Sequence, residues 1–77
     1  MTDPALIRTK PEQIADYYQG LIYVGAIMPG HRLPPATEIA ETFGVARRTA
    51  QTALQILRQR KLVTIVHRQG TYAAIAA

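Results

Sequence analysis

The 77-residue chain has no cysteine and no tryptophan, one phenylalanine, and no acidic residue beyond Glu41. Without cysteine there is neither a disulfide framework nor a thiolate metal site, which fits a reducing compartment. No apolar run approaches the roughly 20 residues that cross a bilayer. The opening "MTDPALIRTKPEQ" lacks the basic-then-apolar order of a secretory signal. His31 and His67 are far apart and have no metal-ligand spacing around them. "MPGHR" has neither the lysine nor the spacing of a phosphate-cradling loop. Glu12 and Asp16 stand four apart, the spacing of a carboxylate pair, but are expected on a solvated helix face. The expectation is a soluble, cytoplasmic, non-enzymatic domain without metal or cofactor, near the lower size limit for an unstapled core.

What the chain does have is positive charge, unevenly placed. The net charge is +4 and the pI about 10.0. Up to residue 46, Arg8, Lys10 and Arg32 face five acids; after it come Arg47, Arg48, Arg58, Arg60, Lys61 and Arg68 with none. A basic half of this kind points to a polyanionic partner.

The order of elements can be read along the chain. The first nine residues are expected to form a flexible arm, and residues 10–77 one domain. In "TKPE", Thr9 caps a helix, Pro11 is tolerated in its first turn, and Glu12 completes a capping box. Ile14, Tyr17, Tyr18, Leu21 and Ile22 then form one apolar helical stripe. Gly20 is a mild cost inside this helix, and Gly25 a C-terminal stop. "MPGHRLPP" breaks regular structure, with Leu33 expected to pin the connector to the core. A second helix is expected from Ala36 to Phe43, with Ile39, Ala40 and Phe43 inward and Gly44 ending it. A third starts at Ala46 or Arg47 and runs to Arg60. "HRQG" between β-forming residues reads as a hairpin turn. Helix, connector, helix-turn-helix and hairpin make a mainly α fold with a small β-hairpin: a winged helix-turn-helix of three helices plus a two- to three-stranded wing.

The third helix divides by angle. With Arg47 at zero and about 100° per residue, Arg58, Gln51, Gln55 and Arg48 fall between about 0° and 100°. Leu54, Ala50, Leu57 and Ala53 fall between about 240° and 340°, and Ile56, near 180°, is expected under the hairpin. Solubility alone is usually met by mixed glutamate and lysine; this polar stripe is arginine and amide only. Arginine forks onto guanine or phosphate, and glutamine pairs with adenine. Two arginines at a helix start also oppose the helix dipole, a cost relieved by a bound anion. The stripe is therefore expected to enter a DNA major groove from its first turn. At the wing tip, His67 can donate to a phosphate, Arg68 suits a narrow minor groove, and Gly70 permits close backbone approach. The alternative use of such a scaffold is protein–protein interaction, which would call for aliphatic residues on the outer stripe. Tyr17, Tyr18 and Tyr23 are expected to build core and rim.

The segments "YVGAIMPGHRLP", "EIAETFGVARRTAQTALQILRQRKLV" and "QGTY" closely resemble the N-terminal DNA-binding domain of GntR-family bacterial transcription regulators. The resemblance runs from about Ile14 to Tyr72. It implies sequence-specific binding of double-stranded DNA by a regulator, by expectation a repressor, at the nucleoid. It also points to a two-fold operator bound by two copies; with no effector domain in the sequence, the free protein is expected to be monomeric, pairing on DNA or through a missing C-terminal domain. By position, it places DNA contacts at Thr37, at 46–49 (including Arg47, Arg48 and Thr49), at Gln51, and at His67, Arg68 and Gln69; Gln55 and Gly70 join them from the residue-level reading. Relatives usually carry arginine at Thr37 and Gln51, a hydroxyl residue at Ala46, threonine at Arg48, and glycine at Lys61 and Arg68. They also usually carry a C-terminal effector-binding and dimerising domain, so the chain is expected to be either a cut-out domain or a stand-alone regulator.

Overall fold

The structure is a computed structural model and describes residues 9–74. Apart from Thr9, the expected arm lies outside the described residues.

Helix α1 (Lys10–Tyr23) begins as its sequence demands. The Thr9 hydroxyl accepts from the Glu12 amide at 3.4 Å, and the Glu12 carboxylate accepts from the Thr9 amide at 3.3 Å and its hydroxyl at 2.8 Å. Ile14, Ala15 and Tyr18 are buried, and Leu21 and Ile22 pack half-buried beside them. The stripe is narrower than its periodicity suggests. Tyr17 is 53% exposed and lies edge-on to Tyr18 and Phe43, at centroid distances of 5.2 and 5.4 Å. Tyr23 is outside the core altogether. Burial, with the charges of Tyr17 and Glu38 added, holds the Tyr18 phenol above its ordinary pKa.

Helix α2 (Ala36–Phe43) follows Pro35, which offers no side-chain cap. It ends at Gly44, whose φ of 66° is the left-handed conformation that reverses the chain, with its amide bonded to the Ala40 carbonyl. After Val45 and Ala46, helix α3 (Arg47–Gln59) crosses both predecessors. Ala50 and Ala53 have no accessible surface, so α3 lies close against α1 and α2, and Leu57 is sealed beneath it. Ile56 is half-buried against this core.

Strands β1 (Val63–Val66) and β2 (Gly70–Ala73) form an antiparallel hairpin, with Val63 opposite Ala73 and Val66 opposite Gly70. Lys61, at φ 62°, turns the chain out of α3, and the Leu62 amide bonds back to the Leu57 carbonyl at 3.0 Å. The connector closes along the other edge of β2. The Leu33 amide donates to Thr71 O (2.8 Å), the Ala73 amide to His31 O (2.8 Å), and the Gly30 amide to Ala73 O (2.9 Å). Leu33 is 1% exposed, so it pins the connector as its sequence position implied. The wing is thus a two-stranded sheet, with the connector bridging to it at Arg32 and Tyr72.

Candidate nucleic-acid interface

The outward face of α3 carries Arg47, Arg48, Gln51, Gln55 and Arg58, all exposed. Burying Ala50, Ala53, Leu54 and Leu57 fixes the helix's rotation, and so presents these five side chains together. Arg48, Gln51, Thr52 and Gln55 line an open depression along it. The Thr52 hydroxyl donates to the Arg48 carbonyl at 3.0 Å and so is engaged within its own helix. Ala46 caps α3 without any side-chain hydrogen bond, and the first turn holds no acid. The start of α3 therefore carries two arginines and no acid beside amides that no side chain caps, a positive corner.

Thr49 does not share this face fully. It is half-buried in the first turn of α3, its amide donating to the Ala46 carbonyl at 3.0 Å. Thr37 is exposed in the first turn of α2.

The wing tip is the three-residue loop His67–Arg68–Gln69, all exposed. The Gln69 amide donates to the Val66 carbonyl at 3.0 Å, and Arg68 sits at φ 65°. This is the third position of a turn that usually takes glycine, so Arg68 is held in a conformation its side chain disfavours. Gly70 is half-buried at φ 132°. The space above it is occupied: a Cβ built there would lie 2.7 Å from Nε of Arg32.

Two basic residues have neighbours that the order of residues does not announce. Arg60 is not on the outer face; its Nη1 donates to Asp16 Oδ1 at 2.8 Å and to Gln19 Oε1 at 2.9 Å. Asp16 is correspondingly half-buried rather than on a solvated face, and it ties α1 to the end of α3. The helical angle carried the signal, since Arg60 falls near 220° on the same wheel, beside the apolar stripe. Arg32 lies against the wing rather than in a free connector. Among the described residues no group of three or more His, Cys, Asp or Glu side chains is placed to hold a metal ion. No described helix is long and apolar enough to cross a membrane.

The profile of the family described as "Bacterial regulatory proteins, gntR family" matches residues 10–73. The mannosyl-D-glycerate transport/metabolism system repressor MngR of Escherichia coli (strain K12) is 35% identical over 60 residues, which are 78% of this chain and 25% of that protein. The chain thus spans about a quarter of this curated relative's length. Among solved structures, AraR(DBD) in complex with operator ORX1 superposes with a TM-score of 0.85 at 28% identity, covering 96% of this chain and 92% of that one. Streptococcus agalactiae GntR superposes with a TM-score of 0.72 at 33% identity, covering 83% and 31%.

Proposed function

The chain belongs to the gntR family of bacterial regulatory proteins, and on that premise we propose that it is a sequence-specific binder of double-stranded DNA. In this reading α3 enters the major groove from its N-terminal turn, with Arg47, Arg48, Gln51 and Gln55 toward the bases and phosphates. The tip residues His67, Arg68, Gln69 and Gly70 meet the adjacent minor groove or backbone, and Thr37 and Thr49 lie at the edge of the contact. The protein acts as a transcriptional regulator, a repressor as MngR is named. It works at the nucleoid of a bacterial cytoplasm, monomeric when free and paired on a two-fold operator.

The observation that carries this reading is the exposed stripe of arginine and glutamine without an acid among them. A face built to bind protein would be depleted of charge at its centre and rich in aromatic residues. Operator complexes of the AraR DNA-binding domain, at 28% identity, support the same use of the fold.

The test is selection of bound duplexes from a random pool, followed by affinity measurements across salt concentration. Enrichment of a common half-site and a steep loss of affinity with salt are expected, because phosphate contacts release counterions. No enrichment together with a flat salt response would overturn the reading in favour of a protein partner.

A further inference from the structure

The side chain of Arg32 has no place in the interface just described, yet its setting is unusually determined. Its backbone is fixed along β2 by the hydrogen bonds of His31 and Leu33 to Ala73 and Thr71. It stands opposite Tyr72, so Gly70, two residues nearer the tip, is its diagonal neighbour on the same face of the sheet. The side chain takes that diagonal. Around the space where a Cβ of Gly70 would sit, Nε comes to 2.7 Å, Nη2 to 3.2 Å and Cζ to 3.3 Å. The guanidinium therefore rests on the bare backbone at the base of the tip, in room that the missing Cβ of Gly70 leaves.

The charge brought there is uncommitted. Glu38 borders the same open depression as Arg32, formed with Leu33, Pro34 and Pro35. Even so, among the described residues Arg32 makes no salt bridge and no side-chain hydrogen bond, whereas Arg60 is paired at 2.8 Å. An exposed guanidinium keeps five N–H donors and a permanent charge. Lying flat on a glycine two residues from Arg68, it adds a second cation to the wing from a separate part of the chain.

We propose that Arg32 is a DNA-phosphate contact of the wing, carried over Gly70 from the connector. This rests on the DNA-binding reading and extends it to a residue outside the helix and the loop. Arg32 enters from the sheet's edge rather than the loop's apex, so its partner is the sugar-phosphate strand beside the tip and its contribution is independent of base sequence. The glycine that the backbone requires here, at φ 132°, also leaves room for that side chain.

The test uses the 77-residue chain and a labelled 25-base-pair duplex of mixed sequence, titrated at several salt concentrations. Arg32→Gln, which keeps the stem and removes the charge, is expected to lower the slope of log affinity against log salt by about one. Affinity near 0.1 M salt should fall by about fivefold to tenfold. Arg32→Lys should recover the slope, since an ammonium also takes a phosphate. An unchanged slope in Arg32→Gln, while Arg48→Ala lowers it, overturns this proposal and leaves the DNA-binding reading standing. Equal loss in the glutamine and lysine variants also overturns it, because a packing role alone would then explain Arg32. If the wild-type chain itself shows no salt-dependent binding, both readings fail.

Discussion

Arg60 reaches back from the end of α3 to Asp16 on α1, with Nη1 2.8 Å from Oδ1 and the Gln19 amide oxygen 2.9 Å from the same nitrogen. One guanidinium thus satisfies two acceptors on successive turns of another helix. It ties α1 to the end of α3 remote from the α3 N-terminus.

Breaking that contact should affect stability and leave DNA binding alone. Both partners are partly exposed, at 29% and 38%, so solvent discounts the pair and Asp16→Ala should cost about 0.5–1 kcal/mol. Urea titration measures this. The salt slope for duplex binding should stay at the wild-type value; a reduced slope would mean that Asp16 or Arg60 serves the interface after all.

Lys61 and Arg68 are the two non-glycine residues with positive φ among those described, at 62° and 65°. A side chain in that region costs about 1–2 kcal/mol, partly offset by the greater unfolded-state freedom of glycine. Lys61→Gly and Arg68→Gly should therefore each raise stability by roughly 0.5–1 kcal/mol. Their effects on DNA should differ, with Arg68→Gly weakening binding most on A·T-rich flanks. Thermal melts paired with affinities on two flank sequences check both parts.

Tyr18 makes folding sensitive to alkali. Burial, then the charges of Tyr17 and Glu38, raises its pKa in the folded chain, so the unfolded chain ionises first. The stabilisation is whole below the ordinary tyrosine range and is lost as pH rises through the raised value. Tyr18→Phe should flatten this loss. Urea midpoints at about pH 9 and about pH 11 should move apart less in the variant than in the wild type.

Arg47→Ala and Arg48→Ala should each weaken duplex binding by about 1–3 kcal/mol, the range of an arginine–base contact. Neither touches the core and both oppose the α3 dipole, so melting temperatures should hold or rise slightly. If both variants bind a selected duplex as well as the wild type, α3 is not the reading helix.

Much of this architecture could be read from residue order because the deciding signals are local. The Thr9–Glu12 box, the Gly44 reversal and the alanine–leucine stripe of α3 each lie within a few residues of what they determine. Bounds for α2 and α3 follow from those signals to within about a residue. The rim position of Tyr17 is not legible in the stripe alone, because periodicity locates a stripe without giving its width. The connections of Arg60 to Asp16 and of Arg32 to Gly70 join residues about 40 positions apart, and no local pattern announces them. Charge counting names both arginines, but it gives neither the partner of Arg60 nor the place of Arg32. The contacts expected at Thr37 and Thr49 rest on resemblance, and of the two only Thr37 is exposed.

The connector's bridge along β2 also determines which side of the wing can be mistaken for a template. With β2 flanked by β1 and by residues 30–33, β1 alone among the described strands has an open edge. That edge presents Thr64, Ile65 and Val66 to solvent, a short β-branched run of the kind that recruits another strand. Lys61 stands before it and Arg68 after it, so a second copy approaching edge to edge would meet like charge at both ends. Arg68, proposed to face DNA, would then join Lys61 in keeping the protein from polymerising through its own wing.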